Sequence, residues 1–343
     1  MQQQITGRFL VLVSLSLLLL GLWGLPAWSQ PSEIEQQARA MRRASDAVVG
    51  IRATAVEDAR SATTLGRERQ GSGVVIGRDD LVLTIGYLVL EADTVELTTD
   101  DGRRLPARVV AYDLATGFGL LQSLAPLGLE PVPLGDPASV RPQEPLMVAT
   151  GGDEGSVSVA QLVGRRAFSG YWEYHVENAL FTTPPRRDHG GAALFNQHGE
   201  LLGIGSLFVS DAMGPDRPRA PGNMFVPVDL LKPILPELRQ RGRSAASLRA
   251  WMGLNCVAQG DEVRVMRVTD DSPADVAGLM QGDHILRIDG IEVRDLAVLW
   301  KTLWATAPAE RAVTLDILRD GERLTIVVQA VDREKTLRRA QGV

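Results

Sequence analysis

Imidazole, thiol, hydroxyl and carboxylate groups standing close in sequence are where covalent or metal chemistry has to begin. The chain has 4 histidines and 1 cysteine in 343 residues. His175 and Glu177 are two apart, so on a strand they share one face, and with His189 they form an incomplete set of metal ligands. A solvated strand face accounts for the same pair, and no zinc-type Cys/His spacing is present. Neither a metal nor a cofactor is expected. His189 and Ser206 offer a base and a hydroxyl, but no acid to orient the imidazole and no ordered oxyanion donors accompany them. His189 then reads as an exposed loop residue.

A second group of residues is suited to binding rather than to covalent chemistry. Trp251-Met252-Gly253-Leu254 puts a glycine between apolar residues at the start of a strand, and Leu296, Leu299, Trp300, Leu303 and Trp304 recur at helical spacing. Trp300 and Trp304 either line a peptide groove or pack a core, and the spacing fits both. The overall charge of −6, from 36 Lys+Arg against 42 Asp+Glu, gives no basic field for nucleic acid. Cys256 cannot form an internal disulfide, so stability must come from packing.

Those groups need elements to hold them. Hydrophobic residues at 45% and charged residues at 23% are ordinary globular usage, and the length suggests about two domains at roughly 150 residues each. Ser32 to Arg43 reads as a short amphipathic helix behind a serine cap. From Ala47 to about Val228, short β-branched runs cut by Gly, Pro and Asp predict a sandwich or barrel. Asp229 to Arg241 has a helical pattern that Pro233 and Pro236 must shorten or kink. Gly242 to Ser247 reads as a polar linker and the best domain boundary. Beyond Trp251 the pattern is α+β. Strands are expected at Glu262 to Val268, His284 to Ile288, Val313 to Leu318 and Leu324 to Val328, a capped turn at Ser272-Pro273, and a helix from Asp295 to Ala305. Asp320-Gly321 is a hairpin signal.

Phe9 to Leu25 form a nearly continuous apolar run behind Arg8, followed by Pro26-Ala27-Trp28-Ser29. This reads as a secretory signal cleaved after Ser29, with an uncleaved membrane anchor as the competing reading. Both place the folded part outside the cytoplasm.

Several strings, in one order, carry a resemblance: GSGVVIGRDDLVLT (71–84), ADTVELTTDDGRRLPARVVAYD (92–113), GGAALFNQHGELLGIGS (190–206) and GNMFVPVDLLKPIL (222–235). They resemble the trypsin-like protease domain of the HtrA/DegP family. RAWMGL (249–254) and DDSPADVAGLMQGDHILRIDG (270–290) resemble the PDZ domain that follows it there. The resemblance implies a mainly β fold, a chymotrypsin-like double β-barrel followed by a small α+β PDZ domain. The domains expected are a signal peptide at 1–29, a helical segment at 30–45, the double barrel at 46–241, a linker at 242–249, the PDZ domain at 250–333 and a tail at 334–343.

The departures from the family pattern concern its chemistry. The family's histidine falls at Tyr87, its triad aspartate at Gly117 and its nucleophilic serine at Gly190, while Asp188 replaces a glycine of the oxyanion hole. Glycine has no atom to attack with, a phenol of ordinary pKa about 10 is a poor base at neutral pH, and a carboxylate at 188 would oppose an oxyanion. The expectation is therefore a pseudoprotease with no catalytic residues. Its PDZ module is expected to bind extended or C-terminal segments of periplasmic envelope proteins through Trp251, Met252, Gly253, Leu254, Leu299, Trp300 and Leu303. The alternative is an HtrA-type serine endopeptidase of periplasmic quality control. An active protease of the same family is a further expected partner, membrane contact is expected only through an uncleaved leader, and the resemblance implies a trimer through the N-terminal segment. A third reading has the groove closed by the protein's own residues.

Overall fold

The computed structural model describes residues 32–338, apart from Pro142 and Asp216. The expected leader and the end of the tail lie outside the described residues. Helix α1 (Glu33–Asp46) opens with a reciprocal cap, in which Ser32 Oγ accepts from Glu35 N and Ser32 N donates to Glu35 Oε2 at 3.0 Å.

Two closed antiparallel barrels follow. The first contains β1 (Val48–Ala55), β2 (Glu68–Val75), β3 (Leu81–Ile85), β4 (Ala92–Thr98), β5 (Arg104–Tyr112) and β6 (Phe118–Ser123), in the order β1-β2-β3-β6-β5-β4. The second contains β7 (Pro145–Thr150), β8 (Ser156–Ser169), β9 (His175–Thr183), β10 (Ala193–Phe195), β11 (Leu201–Val209) and β12 (Gly222–Pro227), in the order β10-β11-β12-β9-β8-β7. Closure removes free sheet edges, and both interiors fill with branched and aromatic side chains, among them Leu83, Leu97, Phe118, Phe181 and Phe195.

The helix expected over Asp229 to Arg241 is broken in two. A 3-10 turn at Val228–Leu230 precedes the α-helix Leu235–Arg241, because Pro233 has no N–H to continue the ladder, whereas Pro236 is tolerated in the first turn. Gly242 then ends the helix in the left-handed conformation, its N–H donating to Leu238 O at 2.9 Å.

The segment expected to be a polar linker is pinned. Ser244 Oγ donates to Asp113 Oδ1 at 2.5 Å, Ser247 Oγ donates to the same oxygen, and Asp113 Oδ2 accepts from Thr116 N and Oγ1 at 2.9 and 2.6 Å. Asp113 is fully buried. A carboxylate withdrawn from water needs this many donors, and here the linker supplies those to Oδ1 while Thr116 supplies those to Oδ2.

The C-terminal domain has a core of its own. Its seven-stranded sheet contains β13 (Ala250–Trp251), β14 (Leu254–Gln259), β15 (Glu262–Val268), β16 (His284–Ile288), β17 (Ile291–Glu292), β18 (Arg311–Arg319) and β19 (Glu322–Asp332), ordered β13-β19-β18-β16-β15-β14 with β17 on β16. The Asp289-Gly290 and Asp320-Gly321 turns both take positive φ at both residues, as two-residue hairpin turns require. Ser272 Oγ caps the short helix Pro273–Val276, and Asp295 Oδ1 caps the helix Leu296–Ala305 by accepting from Val298 N at 2.8 Å.

Candidate functional site

Two places gather the residues singled out by the sequence. The first is the cleft between the barrels. Tyr87 sits in the 3-10 turn after β3 and donates its hydroxyl to Ser206 O on β11 at 3.1 Å. A Cβ built on Gly190 would stand 2.8 Å from that same phenol oxygen, closer than real Cβ contacts allow. Gly117, at φ +82°, accepts from Gly86 N at 2.6 Å, and a Cβ there would stand 3.1 Å from the Tyr174 hydroxyl, which donates to Thr116 O at 2.8 Å. Tyr87 thus lies against Gly190, Gly117 is hydrogen-bonded to the residue before Tyr87, and a phenol takes up the space beside each glycine. Burial raises both phenols above the usual tyrosine range, so neither accepts a proton at neutral pH.

Asp188 differs from its sequence expectation. Its carboxylate is not bare: it accepts from Arg186 Nε at 3.0 Å and from Thr150 Oγ1 at 3.1 Å, and it pairs with Arg186 Nη2. Burial works against the charge, but the Arg186 hydrogen bonds and charge, with that of Thr150, hold the carboxyl below its ordinary range. His189 is half-buried rather than exposed, with Nδ1 3.2 Å from Arg186 O. Among the described residues no hydrogen bond joins it to Ser206.

A serine hydroxyl does touch an imidazole elsewhere. His175 Nδ1 lies 2.8 Å from Ser169 Oγ and its Nε2 3.1 Å from Glu177 Oε1, which also takes Lys301 Nζ from the helix Leu296–Ala305. His175 and Glu177 share a strand face, but the ring is buried rather than solvated, and His189 is not with them. None of these atoms bonds to Tyr87, Gly117 or Gly190. The carboxyl of Glu177 is held low by the hydrogen bonds from Lys301 and His175.

The second place is the groove between β14 and the helix Leu296–Ala305, and it is occupied. The Gly170–Tyr174 segment joins β8 to β9 and lies along β14: Trp172 forms an antiparallel bridge with Asn255, and Cys256 N donates to Tyr171 O at 2.6 Å. At its end, Glu173 Oε1 accepts from Met252 N at 3.1 Å, Gly253 N at 2.7 Å and Leu254 N at 3.0 Å. Trp300 Nε1 donates to Gly170 O at 3.0 Å, and Arg333 Nη1 to Glu173 O at 3.1 Å. Glu173 is 4% exposed, and burial pushes its carboxyl up to about 7 against the opposing pull of the Leu254, Gly253 and Met252 N–H groups and of Arg333.

The expected peptide-binding residues divide by role. Met252, Gly253 and Leu254 present their N–H groups to one carboxylate. Leu299, Trp300 and Leu303 are fully buried in the domain core, and only the Trp300 indole N–H reaches the groove. Trp251 instead lines a separate cavity of about 430 Å³ with Pro273, Val276, Val327 and Val331. Trp304 donates to Ala250 O at 3.1 Å and stacks under Arg249, whose guanidinium carbon is 4.1 Å from the ring. Gly253 has φ +89°, and a Cβ there would meet Ser272 at 2.3 Å, so a bulky residue at 253 would distort the domain as well as the groove. Glu173 escaped the sequence reading. The one signal for it was three aromatics, Tyr171, Trp172 and Tyr174, in a connection between strands, where uncovered apolar area needs a partner.

Comparison with known proteins agrees with this architecture. Residues 71–204 match the model of the trypsin-like peptidase domain and residues 250–330 that of the PDZ domain. The chain is 27% identical over 284 residues to HhoA of Synechocystis sp., covering 76% of this chain and 70% of HhoA. It is 27% identical over 272 residues to the periplasmic serine endoprotease DegP of Escherichia coli K12, covering 75% of this chain but 56% of DegP. It therefore spans little more than half of the DegP relatives it matches. Among solved structures, the HtrA-type protease AlgW with tripeptide superposes with a TM-score of 0.53 at 22% identity, covering 87% of this chain and 97% of that one. The serine endoprotease from Yersinia pestis superposes with a TM-score of 0.51 at 21% identity, over 88% and 99%. Among the described residues no helix is long and apolar enough to cross a membrane. The chain thus carries a trypsin-like peptidase domain followed by a PDZ domain, and along most of its length it is similar to HtrA-type and DegP serine proteases.

Proposed function

We propose that this chain is a periplasmic HtrA-like pseudoprotease, a double-barrel scaffold without hydrolytic activity whose PDZ module binds extended or carboxylate-bearing segments of envelope proteins as an adaptor, holder or regulator. One observation carries the first half: beside Tyr87 the cleft has a glycine at 190, with no side-chain oxygen to attack a carbonyl and a phenol hydroxyl where a side chain would have to go. Acyl transfer needs a nucleophile, a base of suitable pKa and a group orienting that base, and Gly190, Tyr87 and Gly117 supply none of the three. The second half is supported by three convergent N–H donors and by a β14 edge that already pairs with an extended segment, the chemistry that accepts an added strand ending in a carboxylate.

The endopeptidase reading draws on the naming of the relatives and on the contact between Ser169, His175 and Glu177. A fluorophosphonate probe separates the two. The pseudoprotease reading expects no covalent label and no cleavage of unfolded casein. Labelling that disappears in Ser169→Ala or Ser206→Ala would overturn it in favour of a serine hydrolase.

A further inference from the structure

The occupant of the PDZ groove is a piece of the same chain, and its contacts are those of a ligand rather than of a core. Three successive backbone N–H groups converge on one side-chain oxygen of Glu173. The backbone before it runs antiparallel to β14, with Tyr171 O taken by Cys256 N and Gly170 O by the Trp300 indole. A domain core gains nothing from this pattern, which strands polar groups at an edge, whereas a bound peptide gains all its main-chain bonds from it. Tyr171 remains 51% exposed between the buried Gly170 and Glu173, so the segment is anchored at its two ends and open to solvent at Tyr171.

We propose that Gly170–Glu173 is a tethered ligand of the PDZ groove: the Glu173 side chain stands in for a terminal carboxylate, and a partner's C-terminal segment binds only by displacing it. The inference rests on the peptide-binding reading above and names the regulation of that same site. The chain continues from Glu173 to Tyr174, so the carboxylate is delivered by a loop rather than by a chain end. The β8–β9 ladder is irregular at the base of this loop, with a register shift between Arg166 and Phe168. Release of the loop would leave the β8 and β9 pairing below that point intact. A tethered competitor acts at a local concentration on the order of millimolar, so a groove closed 90–99% of the time binds an external peptide ~10–100-fold more weakly than the open groove.

The test uses the whole chain, Glu173→Ala and, to preserve side-chain shape, Glu173→Gln. Amide hydrogen exchange reads the Met252, Gly253 and Leu254 N–H groups, with Ile285 and Ile317 in the domain core as the folding control. The probe is a fluorescent peptide of the sequence of residues 165–173, ending in a free carboxylate. The expected result is at least ~10-fold faster exchange at Met252–Leu254 in Glu173→Ala with the control amides unchanged, a smaller acceleration in Glu173→Gln, and at least ~10-fold tighter peptide binding by Glu173→Ala than by the native chain. Exchange unchanged in both variants, or equal peptide affinity in the native chain and Glu173→Ala, would overturn the tethered-ligand inference and leave peptide binding standing. Amides that open in Glu173→Ala without any peptide binding would retain the tether and remove the peptide-binding reading.

Discussion

The inter-barrel cleft and the PDZ groove are both filled from within, but by different means. In the cleft, Gly117 and Gly190 offer no side-chain atoms in any conformation, and the Tyr87 and Tyr174 phenols sit against them. In the groove, every donor needed for a carboxylate is still present at Met252, Gly253 and Leu254, and what fills it is a loop. One filling is set by residue identity, and no motion can undo it. The other is set by an equilibrium, and a mutation or a competing ligand can shift it. Asp113 lies between the two: it accepts from Thr116, next to Gly117, and from Ser244 and Ser247 of the linker that leads into the PDZ domain.

Breaking that link should separate the two regions most strongly. Asp113→Ala removes a fully buried carboxylate and leaves the Ser244, Ser247 and Thr116 donors without their acceptor. The expected loss is ~3–5 kcal/mol in denaturant unfolding. Exchange at the groove amides should rise with it, because the freed linker no longer fixes the PDZ domain beside the β8–β9 loop. The Tyr87 environment, read by its ring resonances, should stay the same. Equal disturbance of both regions would show that cleft and groove are filled by one cooperative unit rather than by separate means.

A second way to sharpen the contrast is pH. Burial raises the Glu173 carboxyl from 4.5 to about 7, so its contribution to the docked state is fully present below pH 4.5 and declines as pH rises through about 7. The groups facing it are Arg333 and the Cys256 thiol, itself pushed up by burial and by Glu173, with Arg249 lining the same small recess. The difference in unfolding free energy between the native chain and Glu173→Gln should therefore shrink by ~2–3 kcal/mol between pH 4.5 and 7.5. Subtracting the Gln variant removes whatever His175 contributes. A difference that grows with pH would mean the N–H donors outweigh desolvation, and a flat one would mean that the loop spends its time undocked.

The cleft side of the contrast is tested by adding the missing side chain. Gly190→Ser alone places a Cβ 2.8 Å from the Tyr87 oxygen and should destabilise the chain by ~1–3 kcal/mol. Paired with Tyr87→His, the clash partner is gone, so the two changes should be non-additive, with the double variant recovering ~1 kcal/mol or more relative to the sum. Additive effects in thermal unfolding would place Tyr87 and Gly190 apart in solution.

The residues expected in the cleft could be named from the sequence and the groove's occupant could not, for a physical reason. The resemblance of nearby strings to the HtrA/DegP pattern is what implies the places of Tyr87, Gly117 and Gly190, a reading that needs only neighbours close in sequence. The hairpin turns at Asp289-Gly290 and Asp320-Gly321 and the caps at Ser272 and Asp295 were legible on the same local grounds. Glu173 meets Met252, Gly253 and Leu254 across a sequence separation of about 80 residues. No local rule links a carboxylate in one loop to N–H groups in another. The ambiguity of Trp300 had the same origin, since helical spacing puts it on the inner face whether it packs a core or lines a groove. The structure has it do both, burying the ring and donating its N–H to Gly170 O.

The smallest expected effect concerns the polar chain beside the docked loop. Lys301 and Glu177 form an ion pair between the PDZ helix and β9, with side chains 53% and 51% exposed, so water and salt screen most of their attraction. Lys301→Ala should change stability by no more than ~1 kcal/mol, and groove exchange should change little, because the loop is held by Glu173 and the strand bridge rather than by this pair. Loss of groove protection in Lys301→Ala comparable to that in Glu173→Ala would reverse the assignment. The latch would then be the Ser169–His175–Glu177–Lys301 chain, and the Glu173 carboxylate would follow the loop rather than hold it.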